Sequence, residues 1–498
     1  MEAVADRTAA TTARDALQGV GYGERGIVKL LGDDGPGADR DDVPVLDRRL
    51  PESPLATVVR LLLLQLPVRE SDAVRALGAD GVDAIVALGL AEPVGKQLEP
   101  RGRVMPAEGL LLACDPFPSG SGDPPGYVAA FTPTASWCAA LTPRRRVERA
   151  LDVGTGNGAQ ALLAARHSSH VVATDVNPRA LAFTSLNAAL NGFDNVETRL
   201  GNLFAPAAGE SFDLITCNAP YVISPETKWQ YRDGGLPADE LSARVVEGAA
   251  ASLAVGGYAT VLVSWLAESE DDPDGRVLQW LEGNGCDAWV LGLSGADPLE
   301  HASTWNDHFV DDHPALGEAL DGWTAYFRDL RVGWISEGAV LLHRREGRPH
   351  PPRVDPASAD ELEHAGEQIE RAFAARAFLA DLESEADLLD EPLTLADNVS
   401  LEMRLDPHTR ERETRLLLDE GTYPDLECAP AVADALAALD GSSTLRKGIE
   451  RLGLPPKAAA AVRAEALDAL RDLLELGFVE LDDDSQIPSA AGASGSGS

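Results

Sequence analysis

One stretch limits the fold more than any other. Ala150-Leu151-Asp152-Val153-Gly154-Thr155-Gly156-Asn157-Gly158 reads as a short apolar strand running into a glycine-rich turn, and Ala159 to Arg166 follows with helical spacing. Glycines let a backbone turn sharply and approach a ligand closely. The helix behind them offers unpaired N–H groups at its start. A second apolar strand, Val171-Val172-Ala173-Thr174, ends in Asp175. That acid falls about 20 residues after the loop, where a nucleotide-binding fold sets a carboxylate on ribose hydroxyls. The spacing Gly154-x-Gly156-x-Gly158 is not the pyrophosphate fingerprint, and no Walker Gly-Lys-Ser/Thr occurs. Dinucleotides and ATP are therefore disfavoured.

A third apolar run, Phe212 to Cys217, reads as a buried strand and ends in Asn218-Ala219-Pro220-Tyr221. An Asn-x-Pro-Tyr turn at a strand end suits a planar NH2 group. The Asn side-chain oxygen and the next backbone carbonyl each accept one of its hydrogens, and the Tyr ring lies against its plane. Such an NH2 belongs to an amide or a nucleobase.

These motifs together resemble class I S-adenosylmethionine-dependent methyltransferases, and within them the HemK/PrmC glutamine methyltransferases and related nucleic-acid-modifying enzymes. The resemblance rests on Asp152-x-Gly154-Thr155-Gly156-x-Gly158, Asp175-Val176-Asn177-Pro178, Gly201-Asn202-Leu203-Phe204 and the Asn218 turn. Asp233-Gly234-Gly235 adds to it, being similar to the family's substrate loop. It implies an α/β fold with a Rossmann-like seven-stranded core. It also implies that Asp152, Gly154, Thr155, Gly156, Gly158, Asp175 and Asn177 surround the donor, with Asn202 and Leu203 at its adenine and Phe131 covering it. Asn218, Ala219, Pro220 and Tyr221 then hold the acceptor. Two positions depart from the pattern. Asn202 stands where the family has an acid, and Ala219 replaces the first proline of the turn, which keeps the carbonyl but loses rigidity.

The implied reaction is N-methylation of a glutamine amide in a protein, with adenine or guanine amino groups of RNA or DNA as the alternative. A donor-binding regulator working through winged-helix modules is a further alternative. Charge bears on the choice. The 498 residues carry 42 basic and 81 acidic side chains, a formal net charge of −39. An acidic chain gains nothing from counterion release on nucleic acid. The run Arg144-Arg145-Arg146 reads as a solvated helix face. Five widely spaced cysteines with no C-x-x-C argue for a reducing compartment and free thiols. No secretion signal or membrane span is visible, so a cytoplasmic location is expected. His301, Asp307, His308, Asp311, Asp312 and His313 match no metal pattern, and no metal is expected.

Both flanks read as helical. Ser71 to Leu77 and Val82 to Leu88 suggest a helix-turn-helix, and Arg103 to Met105 with Gly109 to Cys114 suggests the two strands of a wing. Leu445 to Leu452, Ala458 to Leu476 and Phe478 to Leu481 repeat the theme. The expected order is a winged-helix-like domain over 1–123, the methyltransferase core over 124–346, a linker over 347–360, a second winged-helix-like domain over 361–483 and a disordered tail over 484–498. Residues 296–336 form an aromatic-rich insertion between the last two core strands. Packing is the preferred role for it, with a substrate-facing lid as the alternative.

Overall fold

The computed structural model describes residues 6–32, 37, 39–117, 126–225, 235–310, 312–422 and 425–481. Asp233, Gly234 and the 484–498 tail lie outside the described residues. The chain divides into two compact units, Met1–Pro356 and Ala357–Ser498.

The first unit is built on a sheet of β1 (Val147–Val153), β2 (Ser168–Asp175), β3 (Val196–Leu200), β4 (Phe212–Cys217), β5 (Leu253–Ala267), β6 (Asp287–Ala296), β7 (Trp334–His343) and β8 (Arg353–Pro356). Their spatial order is β8-β6-β7-β5-β4-β1-β2-β3. Strands β3, β2, β1, β4 and β5 run parallel, and β7 is antiparallel to both β5 and β6. A parallel strand covered on both faces needs an unbroken apolar run rather than an alternating one. Ala150 to Val153 and Val171 to Thr174 supply such runs and are buried throughout. The edge strand β3 is half-buried to exposed along its length.

The helices of this unit that bear on the site are α1 (Pro133–Leu141), α2 (Ala159–Ala165), α3 (Pro178–Asn191), α4 (Glu240–Ser252), α5 (Gly275–Leu281), α6 (Pro298–Trp305) and α7 (His313–Asp329). Asp175 and the Gly154 loop both sit where a parallel strand gives way to a helix. Ligands of open α/β sheets bind beyond this carboxyl end of the strands.

Three sequence expectations change. Residues 353–356, expected in the linker, form β8, which pairs in parallel with β6. The Trp289 indole N–H donates to Asp355 Oδ2 at 2.8 Å, which fastens this added edge. The N-terminal region is not separate from the core. Its buried residues share one apolar cluster with Ala180, Phe183, Leu186, Ala189 and Leu190 of α3. Arg144 to Arg146 lie in an exposed loop between α1 and β1 rather than on a helix.

Glu70–Ala87 is helical with a break at Gly78, whose φ is 75°. The expected wing strands pair as Arg103–Ala107 with Leu110–Cys114. The wing is tied down by α3. Asn187 Oδ1 accepts from Ala113 N (2.7 Å) while its Nδ2 donates to Ala113 O (2.9 Å), and Asn191 does the same with Leu111 (2.9 and 2.8 Å). The two asparagines are four residues apart, so they share one face of α3.

In the second unit, Leu445–Arg451 and Pro456–Glu475 are the expected helix pair, followed by Val479–Glu480. That short strand joins Pro392–Leu395 and Asp440–Thr444 in one sheet. A further sheet of Val399–Leu405, Arg412–Leu418 and Asp425–Cys428 was not expected from the sequence. Gln368 is a buried hub here, donating to Thr422 Oγ1 and Leu476 O and accepting from Thr422 N. No helix among the described residues is long and apolar enough to cross a membrane.

Candidate active site

The turn after β1 is made by left-handed backbone. Gly154, Gly156 and Gly158 have φ of 72°, 57° and 88°. At Gly158 there is also no room for a side chain, because an added Cβ would stand 2.9 Å from Thr184 Cγ2 on α3. At Gly156 the same direction is open. The Gly154 and Thr155 N–H groups both donate to Thr174 O, at 2.9 and 3.0 Å, which locks the loop to β2. Asp175 sits at the end of β2 beneath the loop. Its Oδ2 accepts from Gly156 N (3.0 Å) and its Oδ1 from Asn177 N (2.8 Å). Burial raises the pKa of its carboxyl, and those backbone N–H groups oppose the rise.

Asp152, expected among the donor-facing residues, faces inward instead. It is 2% exposed. Its Oδ2 accepts from Ala161 N of α2 (3.1 Å) and its Oδ1 from the Thr216 hydroxyl of β4 (2.9 Å). The carboxylate therefore ties the helix behind the loop to the neighbouring strand. Burial pushes its pKa up to about 6.

A segment from Gly126 to Phe131 approaches the loop. Asn177 caps α3 through Arg179 N (3.0 Å) and donates from Nδ2 to Gly126 O (3.0 Å). Arg179 donates to Gly126 O (2.7 Å) and forks onto the buried Asp115 (2.8 and 2.6 Å). Asn157 Nδ2 donates to Ala129 O at 3.1 Å. Phe131 follows, half-buried, just before the Thr132 cap of α1. Beyond β3, Asn202 is exposed, and Leu203 takes a left-handed φ of 48°. The Leu203 carbonyl accepts from the Thr174 hydroxyl at 3.1 Å.

The turn after β4 lies directly alongside. A Cβ added at Gly154 would stand 3.4 Å from both Cα and Cβ of Ala219. Ala219 itself is buried in the core cluster of β1, β4 and β5. Among the described residues the Asn218 side chain makes one hydrogen bond, from Nδ2 to Thr134 Oγ1 at 3.4 Å. Pro220 and Tyr221 are half-buried. Burial raises the Tyr221 hydroxyl pKa, and the Glu337 carboxylate on β7 adds to the rise.

The insertion packs beside this turn. Val222 and Ile223 share a cluster with Leu266, Ala302, Trp323, Phe327 and Ile335. Of the metal-like residues, His301 is buried and bonds a backbone carbonyl, and no group able to hold a metal occurs among the described residues. Asp233 and Gly234 are outside the described residues, and Gly235 has a φ of 67°.

Sequence reasoning overlooked Thr134, Asn187, Asn191, His301 as a carbonyl partner, Tyr326 and Glu337. The two asparagines had a signal. Asn is disfavoured inside helices because its side chain competes for backbone, and a pair of them one turn apart on α3 needs a reason. The others had none in local sequence.

Residues 145–252 match the family described as a methyltransferase domain. This stretch of the chain is a methyltransferase domain. Residues 19–101 match a domain of unknown function (DUF7059). The ribosomal protein uL3 glutamine methyltransferase of Bradyrhizobium diazoefficiens is 31% identical over 165 residues, 30% of this chain and 52% of that protein. The release factor glutamine methyltransferase of Deinococcus radiodurans is 49% identical over 87 residues, 17% of this chain and 31% of that protein. The chain thus spans about half or less of the length of these relatives. Trm5b from Pyrococcus abyssi aligns with a TM-score of 0.30 at 17% identity, covering 51% of this chain and 62% of that one. The methyltransferase domain therefore resembles the HemK/PrmC glutamine methyltransferases in sequence, with β1 to β7 as its Rossmann-like sheet.

Proposed function

We propose that this chain transfers a methyl group from S-adenosylmethionine to the side-chain amide nitrogen of a glutamine in a protein. The observation that carries this reading is the junction of Gly154 with Ala219, which brings the glycine loop and the Asn218 turn into contact. The open direction at Gly156 and the carboxylate of Asp175 beneath it suit the donor's amino-acid end and its ribose. Asp152 does not touch the donor in this scheme; it fixes the loop from behind. Asn177 and Asn157 hold the 126–131 segment close to the loop, and Phe131 shields the donor from water. Asn202 and Leu203 face the adenine.

When bound, S-adenosylmethionine supplies a methyl group already activated by its sulfonium. What remains for the protein is aim. An amide nitrogen is a poor nucleophile because its lone pair is delocalised, and as its N–C bond forms the S–CH3 bond breaks and one N–H hydrogen leaves as a proton. Asn218 Oδ1 and the Ala219 carbonyl accept its two hydrogens, draw electron density to nitrogen and turn the lone pair toward the donor. Tyr221 packs on the amide plane, and Pro220 stiffens the turn. Positioning of this kind is worth up to ~7–11 kcal/mol. The glutamine methyltransferase names of the relatives, which act on release factor and uL3, support a protein amide as acceptor. So does the net charge of −39, which opposes a polyanionic partner.

The test is tritium transfer from labelled S-adenosylmethionine by the purified chain into heat-treated cell extract. Label in protease-sensitive, nuclease-resistant material is expected. Label confined to nuclease-sensitive material would move the acceptor to a nucleobase.

A further inference from the structure

We propose that His301 and Tyr326, on the insertion, are positioning residues that fix Ile223, just past the Asn218 turn, and Ala238, just before α4. The inference rests on the reading of the Asn218 turn as the acceptor site. Ile223 marks the exit from the turn after β4, and Ala238 marks the return into α4. Both points are fixed by the insertion. At the exit, His301 Nε2 of α6 bonds Ile223 O at 3.1 Å. At the return, the Tyr326 hydroxyl of α7 accepts from Ala238 N at 2.8 Å. Ala238 has a left-handed φ of 53°, a conformation that costs a non-glycine residue and persists only when its surroundings hold it.

The bracket is itself rigidly mounted. His301 is 3% exposed. Its ring lies among Trp305, Trp323 and Phe327, with centroids 6.4, 5.8 and 5.6 Å away. Because Nε2 meets a carbonyl, it carries a hydrogen, which turns Nδ1 toward Glu337 Oε1 at 3.8 Å. The Trp305 indole N–H donates to the same oxygen at 3.4 Å. Glu337 stands opposite Ser264 of β5 in the sheet. A continuous path of contacts thus runs from the sheet through Glu337 and His301 to the carbonyl two residues past Tyr221. Ile223 and Ala302 close the same apolar cluster. The hydrogen bonds of this path run to Ile223 O, on the acceptor side, and to Glu337.

The test uses the full chain and three variants, His301→Phe, His301→Gln and Tyr326→Phe. Four readouts are taken: melting temperature, calorimetric affinity for S-adenosylmethionine, initial rate of tritium transfer into extract protein at saturating donor, and hydrogen exchange of peptides spanning 217–224 and 235–240. His301→Phe keeps an apolar ring but loses the carbonyl bond. It should slow transfer at least about tenfold, raise exchange over 217–224 and leave donor affinity within about twofold. In His301→Gln the side-chain N–H2 can again reach Ile223 O, so transfer should recover to within about threefold of wild type. Tyr326→Phe removes one hydroxyl and should raise exchange over 235–240 with a smaller loss of transfer. Unchanged exchange and rate in His301→Phe would overturn the proposal, as would a His301→Gln no better than His301→Phe, or a matching loss of donor affinity. Should His301→Phe not fold, Tyr326→Phe decides by the same exchange criterion. If the wild type transfers no label while exchange responds as described, the positioning roles stand and the reaction assigned to the site falls.

Discussion

The glycine loop and the Asn218 turn lie against each other, yet they are held by different means. The loop is secured by its own sheet: two N–H groups on Thr174 O, one on Asp175, and three glycines in left-handed backbone. Helix α3 adds to this hold, with the Thr184 hydroxyl donating to Gly156 O at 3.2 Å and Asn187 Nδ2 to Asn157 O at 2.8 Å. Among the described residues the Asn218 side chain has one long hydrogen bond, to Thr134, and the residues just past the turn pack on the insertion between β6 and β7. A site for an invariant donor can be built into the strand–helix unit. In the proposed scheme the acceptor site leans on an added element instead.

The largest expected effect comes from removing the insertion's core. Trp323 and Phe327 are fully buried. Trp323→Ala should cost ~3–5 kcal/mol of stability, read by denaturant unfolding. At temperatures where the variant stays folded, methyl transfer should fall more than donor affinity. Parallel loss of both would erase the contrast between the two regions.

Asp152 sharpens the contrast because it touches both sides, through Ala161 and Thr216. Its carboxyl pKa is raised from 3.8 to about 6 by burial. The folded state therefore prefers the protonated acid. That contribution is complete below pH 3.8 and is lost as pH rises through about 6. Asp152→Asn stays neutral at every pH. It should match the wild type near pH 4 and exceed it by up to about 3 kcal/mol at pH 8. A stability difference that does not change with pH would show that the buried carboxylate is not the source.

A smaller effect is expected at the donor side. Asp175→Ala removes the acceptor for Gly156 and Asn177 N–H and the proposed ribose partner. Donor affinity should weaken about tenfold or more, equivalent to about 1.4 kcal/mol. Exchange over 217–224 should stay at the wild-type level.

Local demands on the backbone were readable from the sequence. Glycine at 154, 156 and 158, a strand-ending acid at 175 and an Asn-x-Pro-Tyr turn at 218 each announce a conformation that few other residues permit. The Rossmann-like core followed from the family resemblance. What escaped were contacts made across long separations. His301 and Ile223 are 78 residues apart, and Asn187 and Ala113 are 74 apart. No periodicity links such partners. Strand β8 was hidden for another reason: its neighbours His350-Pro351-Pro352 read as linker, and only the Trp289–Asp355 bond and pairing to β6 reveal an edge. Asp152 shows the opposite failure. Its place in the motif was right, but a sequence motif does not say which way a carboxylate turns.

The division of labour is tested most directly at Asn218. Calorimetry of S-adenosylmethionine binding and tritium transfer into protein are measured side by side on wild type and Asn218→Ala. Donor affinity within about twofold of wild type, with transfer reduced about 100-fold or more, is the expected result. Equal loss of both, or full transfer without the Asn218 amide, would contradict a turn that serves only the acceptor.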